Sequence, residues 1–257
     1  MMVSVARIAA VSYLDTIPFI YGIRHEGNLR AELLLSSPAK CLKSYTEGRA
    51  DVALLPSSVV PSLKASEMVT DYCIGASGPI RTVVLASDTP IAEVKRIFVD
   101  TDSLAAVQLA GYLAAHRWSI APEWYELTDF GQLACAAPGD AFLLIGDKVF
   151  DAASRFRHVL DLAAEWKEAT SLPFAFSVWV ARKGTPVEVM DALQLALTFG
   201  VEHTYEAILE SGTKLEPYEA YEYLTQNIDY IFDGQKRHAL QKFWDAGLKI
   251  SPRVNPG

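Results

Sequence analysis

Short apolar runs alternate with helix-patterned segments along most of this 257-residue chain, and that alternation confines it to an α/β architecture with largely parallel sheets. Residues 3–11, 31–35 and 51–55 have the length and apolar character of buried strands. Residues 18–25 and 38–48 are patterned as helices, the second with Ser37 at its N-cap and Pro38 at its first helical position. Pro56-Ser57-Ser58 begins a further helix, and strands are expected over 72–74 and 81–86 around a turn at 75–78.

A second strand-rich stretch follows. Residues 96–99, 125–127 and 141–145 read as strands, Asp102-Ser103 caps a helix over 104–117, and Gly146-Asp147 leads into a helix towards Ala153. Residues 174–181 alternate as an aromatic-rich strand; 186–210, 217–227 and 233–246 are helical, and 251–257 reads as a frayed tail. Amphipathic helices need a sheet to cover. The expected organisation is therefore two lobes: residues 1–87 with 180–257, and residues 88–179, with the C-terminal helices packed on the first.

Apolar residues make up 51% of the chain, too many for disorder. The formal net charge of −8 argues against non-specific binding to nucleic acid or to an anionic membrane. No apolar run reaches the ~18 residues of a membrane span, and the apolar opening is too short for a signal peptide, so a cytoplasmic location is expected. Three cysteines (Cys41, Cys73, Cys135) and five histidines are scattered without disulfide or metal spacing. Chemistry without metal or cofactor is expected. The composition sets no oligomeric state.

Open α/β sheets bind ligands beyond the carboxyl ends of their strands, where unpaired N–H groups point outward. The junctions that fit are 12–16, with Tyr13 and Asp15; Ser57-Ser58; Asp102-Ser103; Gly146-Asp147; and the turn from Gly78 to Arg81 and Thr82. Hydroxyls and backbone donors there suit a small carboxylate. Each also has a plainer reading: Ser57, Ser58, Ser103 and Asp147 serve equally as helix caps, Arg81 as an edge arginine, and Phe174, Phe176 and Trp179 as core. No GxGxxG, Walker or GxSxG pattern is present, which leaves nucleotide binding and serine hydrolysis unsupported.

Several segments resemble, in order, the chorismate dehydratases of the futalosine route to menaquinone: Val11-Ser12-Tyr13-Leu14-Asp15-Thr16-Ile17-Pro18-Phe19, Gly48-Arg49-Ala50-Asp51-Val52-Ala53-Leu54-Leu55-Pro56-Ser57, and Leu144-Ile145-Gly146-Asp147. Asp161-Leu162, Trp166 and Thr170-Ser171-Leu172-Pro173-Phe174-Ala175-Phe176-Ser177-Val178-Trp179 extend the likeness. The resemblance implies a two-lobed periplasmic-binding-protein-like type II fold, with mixed sheets carrying helices on both faces. It also implies removal of water from chorismate to give 3-[(1-carboxyvinyl)oxy]benzoate; on that reaction, Asp15 and Thr82 are expected to flank the reacting ring carbons.

Three departures bear on that expectation. The family usually has Asn at the position of Asp15, Ser at that of Thr82, and Thr-Ser at that of Ala105-Ala106. An ionised Asp15 repels a dianion unless it is protonated or paired; protonated, it donates to a leaving hydroxyl. Two other readings compete: a non-catalytic small-anion binding protein of the same fold, and the dihydroxynaphthoate synthase of the same route, whose N-terminal motif finds no convincing match here.

Overall fold

The computed structural model describes residues 5–100, 102 and 104–254. In chain order its strands are β1 (Ala6–Val11), β2 (Ala31–Ser36), β3 (Val52–Pro56), β4 (Ser66–Ala76), β5 (Val83–Ser87), β6 (Arg96–Val99), β7 (Glu123–Glu126), β8 (Asp140–Ile145), β9 (His158–Asp161), β10 (Phe174–Arg182) and β11 (Asp229–Ile231). The α-helices are α1 (Ile17–His25), α2 (Pro38–Thr46), α3 (Leu104–His116), α4 (Val149–Ala152), α5 (Leu162–Thr170), α6 (Val187–Glu202), α7 (Thr204–Ser211), α8 (Pro217–Glu222) and α9 (Gly234–Asp245). They form two compact units, Met1–Gly75 with Ala175–Gly234 and Ala76–Phe174 with Gln235–Gly257.

The first unit holds a sheet in the order β11-β4-β10-β3-β1-β2. β1 runs parallel to β2 (Ile8↔Leu33) and to β3 (Ile8↔Val52), while β10 is antiparallel to β3 (Trp179↔Leu54). Every residue of β3 is buried, as expected of a short continuous apolar run covered on both faces. From α1, Phe19 meets Tyr72, Trp179 and Tyr230 at ring separations of 6.0, 5.8 and 5.1 Å, all at steep angles. Helices α1 and α6 touch backbone to backbone. A Cβ on Gly22 would lie 1.9 Å from the Ala196 carbonyl oxygen, and one on Gly200 would lie 1.9 Å from that of Pro18.

Local chemistry departs from the expected helices at two places. Ser57 opens a 3-10 turn (Ser57–Ser62) that contains Pro61, rather than an α-helix. The helix expected over 186–210 is two helices, because the chain leaves helical geometry at His203 (φ −109°, ψ 35°), where the Thr204 hydroxyl donates to the Val201 carbonyl at 2.7 Å.

The second unit holds a sheet in the order β7-β6-β8-β5-β9. β6 is parallel to β7 and β8, and β5 is antiparallel to β8 and β9. Phe142 and Leu144 of β8 pack with Val84, Ala86, Phe98, Leu133, Val149 and Ala152. A separate aromatic cluster joins Trp166 of α5 to Tyr112 of α3, Phe174 and Phe243. Through Phe243, α9 belongs to this unit, not to the first as its sequence position suggested. β5 likewise pairs here, so the chain passes between units at Gly75–Ala76 and Phe174–Ala175 instead of near Ser87 and Trp179, and a third time at Gly234–Gln235. Within the segment expected to fray, Arg253 is tied down: it donates its N–H to the Trp124 carbonyl at 2.9 Å and accepts from the Glu126 N–H at 2.8 Å.

At the base of β1 and β3, the Arg7 guanidinium donates to Asp51 at 3.1 and 2.6 Å, and the Arg7 N–H adds a third bond at 3.0 Å. These bonds hold the Asp51 carboxyl below its ordinary value. The pair's contribution is therefore complete above the unfolded carboxyl's range and disappears as pH falls through the lowered value. Because both side chains are partly exposed, Asp51→Asn should cost only about 1 kcal/mol at pH 7. The gap to wild type should close near pH 2 (roughly the bottom of the titration range) in denaturant unfolding. Gly22→Ala and Gly200→Ala should each cost about 3 kcal/mol or more, read as a loss of the first unit's unfolding transition.

Candidate functional site

In the first unit, the carboxyl ends of the parallel neighbours β1 and β3 carry the expected residues. The Ser12 N–H continues the β1–β2 ladder to the Ser36 carbonyl at 3.1 Å, after which the chain turns through a short 3-10 segment, Leu14–Thr16. Thr16 is what shapes this turn. Its buried hydroxyl lies 2.6 Å from the Val11 carbonyl and 2.7 Å from that of Tyr13, closing the loop that presents Tyr13 and Asp15. Tyr13 and Asp15 are half-buried. The Tyr230 hydroxyl donates to the Asp15 backbone carbonyl at 2.9 Å. Burial above all, and then the nearby charge of Asp15, push the Tyr230 hydroxyl well above its ordinary value.

At the end of β3, Ser57 is fully buried and Ser58 half-buried. The Ser58 hydroxyl oxygen is itself buried and meets no hydrogen-bond partner among the described residues. The β1 and β3 ends are thus neighbours in one sheet, with Tyr13, Asp15, Ser57 and Ser58 beyond the carboxyl ends of adjacent strands.

The second unit brings Gly78, Arg81, Thr82, Gly146 and Asp147 to one end of its own sheet. Since β5 is antiparallel to β8, the start of β5 lies beside the end of β8 (Val83↔Ile145). The Gly146 N–H donates to the Thr82 carbonyl at 2.9 Å. Gly146 has φ +71°, a conformation that favours glycine, and it turns the chain towards α4. Asp147 is exposed. Thr82 is buried, its hydroxyl 3.5 Å from the Ile80 carbonyl. Arg81 is exposed, takes φ +67°, and sets its guanidinium 5.6 Å from the centre of the Phe150 ring. Gly78 is half-buried in an open turn where a Cβ would meet nothing within 4 Å.

Ser103 lies outside the described residues. Ala105 and Ala106 are buried in α3.

Two groups at this end escaped the reading from sequence. Asp161, at the end of β9, caps α5: its Oδ1 accepts the N–H groups of Ala163 and Ala164 at 3.0 and 3.1 Å. Its Oδ2 accepts the Arg81 N–H at 2.6 Å, and the Ile80 N–H also donates to the carboxylate. Burial raises the Asp161 carboxyl above its ordinary value despite these donors. An Asp just before Leu162-Ala163-Ala164-Glu165 is a readable N-cap signal, but its reach to residues 80 and 81 is not local. The second is Lys148, ion-paired with Asp100 at the end of β6 and placed 4.6 Å from the centre of the Phe130 ring. Burial lowers its ammonium below the ordinary value.

Among the described residues, no helix is long and apolar enough to cross a membrane. Compared with known proteins, the chain matches the menaquinone biosynthesis family over residues 6–248. It is 26% identical to a chorismate dehydratase of Thermus thermophilus, over 95% of this chain and 96% of that protein. A crystal structure of an Archaeoglobus fulgidus protein superposes with a TM-score of 0.72 at 20% identity, covering 93% of this chain and 95% of the other. A Candida albicans protein described as having the generic periplasmic-binding-protein fold superposes at 0.59 and 13% identity, covering 97% and 92%. The architecture is accordingly periplasmic-binding-protein-like α/β. The chain belongs to the menaquinone biosynthesis family.

Proposed function

We propose that this protein is a chorismate dehydratase, a cytoplasmic hydro-lyase that forms 3-[(1-carboxyvinyl)oxy]benzoate. The observation that carries the reading is the nearly complete mutual coverage with the Thermus thermophilus chorismate dehydratase, within a family match that spans both units. The reaction breaks the bond between ring carbon and hydroxyl and removes the proton from the neighbouring ether-bearing carbon. One water leaves, and the electron pair of the C–H bond completes the aromatic ring. Aromatisation supplies the driving force, so the protein's tasks are to hold two carboxylates, help hydroxide depart and accept a ring proton.

The residues assigned to these tasks follow from their chemistry. Asp15, protonated when the dianion is bound, donates to the departing hydroxyl, and the carboxylate so formed takes the ring proton, so that water leaves and the side chain returns to its starting state; its turn is fixed by Thr16 and Tyr230. Tyr13, Ser57 and Ser58 supply hydroxyls at the same end of the sheet. Arg81 supplies positive charge for a carboxylate, and the Gly78–Thr82 and Gly146–Asp147 turns present backbone around it. Thr82, with its hydroxyl turned towards the Ile80 carbonyl, contributes through the geometry of that turn.

Incubation with chorismate should give the ultraviolet absorbance of the aromatic product. Binding without turnover would instead favour the non-catalytic anion-binding reading. If Asp15 donates the proton, Asp15→Asn should lower kcat by about 100-fold and remove a limb of its pH profile. An unchanged rate and profile would take Asp15 out of the chemistry.

A further inference from the structure

One carboxylate in the second unit does more than cap a helix. Asp161 accepts from two N–H groups of α5 through one oxygen, and through the other it reaches across to the turn that carries Arg81. The two halves of this arrangement are 80 residues apart in sequence. Capping α5 needs only Oδ1, so the bond to Arg81, the shortest of the three at 2.6 Å, is additional to that requirement. Arg81 has a reason to need holding. It is a non-glycine residue at φ +67°, a conformation that persists only where its surroundings impose it. Its following residue is fixed too, because the Thr82 carbonyl accepts from Gly146. Its guanidinium is left at the surface over Phe150.

We infer that Asp161 is a positioning residue: by holding the backbone of Arg81 in its left-handed conformation, it aims the guanidinium at a carboxylate of the substrate. This rests on the dehydratase reading for the identity of the substrate, but the link from Asp161 to Arg81 is a property of the fold. Asp161 does not itself touch the ligand.

Asparagine at this position separates the two roles. In Asp161→Asn the amide oxygen can still cap α5, since Asn is as good an N-cap as Asp. The amide NH₂ then stands where Oδ2 was and faces the Arg81 N–H donor to donor, so the tie to the turn is lost while the helix cap survives.

The experiment is a double-mutant cycle of Asp161→Asn and Arg81→Ala, reading KM and kcat for chorismate. Equilibrium binding of 3-[(1-carboxyvinyl)oxy]benzoate to each variant is measured in parallel. Alone, Asp161→Asn should raise KM and weaken product binding by about 10-fold to 100-fold, with thermal unfolding close to wild type. In the Arg81→Ala background it should add almost nothing. Losses that multiply would overturn the inference, as would an Asp161→Asn variant that binds product as wild type does. Product binding without turnover in wild type sinks the dehydratase reading and leaves the cycle readable by binding. No binding by wild type overturns both.

Discussion

Full burial of the central strands is the constraint on which the rest of this structure depends. Every residue of β3 and β8 is buried, so neither strand can present chemistry along its length. Functional groups are driven to the ends, where the ladder stops and each backbone N–H and carbonyl must find another partner. That requirement shapes the turns. Thr16 supplies a hydroxyl to two carbonyls at the end of β1, and Asp161 supplies a carboxylate to N–H groups beside the start of β5. The groups that satisfy the backbone are the same ones that aim Tyr13, Asp15 and Arg81.

The two units solve this problem with opposite chemistry. The first closes its turn with neutral hydroxyls, and a buried phenol donates to the backbone of Asp15. The second uses charge: a half-buried carboxylate behind Arg81 and an ion pair between Lys148 and Asp100. Withdrawing a carboxylate from water is costly unless it is well hydrogen-bonded, and the donors around the half-buried Asp161 offset much of that cost. Burial still prevails in raising its carboxyl. The consequence is a rigid turn: removing one partner would leave several donors unsatisfied at once.

The sequence disclosed the elements whose pattern is local. Strands β1, β3 and β8 are short apolar runs, and α2 begins where Ser37-Pro38 says it should. The strand-end residues Tyr13, Asp15, Ser57, Arg81 and Gly146 follow from the same reading, since a strand end is as visible as the strand. What stayed hidden was set by partners distant in sequence. β9 is partly exposed at a sheet edge, and β11 has three residues; neither carries a usable period. The apolar run of β5 fits either sheet equally well, and only its pairing with β8 and β9 decides. α9 shows an ordinary amphipathic pattern that does not say which unit Phe243 will meet. The break at His203 has no glycine or proline to announce it. Asp161 was legible as a cap and illegible as a clamp for the same reason.

The departures at Ala105 and Ala106 acquire a physical meaning from their surroundings. Both side chains are buried in α3, where the resemblance leads one to expect Thr-Ser. A hydroxyl at such a position must find a partner, either within the helix or in a ligand, or it costs more than it contributes. Alanine removes that obligation and gives up two donors for a carboxylate. On the proposed reading, the anionic substrate is then held by fewer hydroxyls and depends more on the guanidinium of Arg81. A single cation replaces diffuse hydrogen bonding only if its direction is fixed, because a long flexible side chain otherwise loses in ordering much of what the charge gains. The Asp161 tie fixes the backbone from which that side chain departs, and the Phe150 ring supports its far end. On that reading, the polarity that alanine withdraws from the interior of α3 is made up by charge held in place at the strand end.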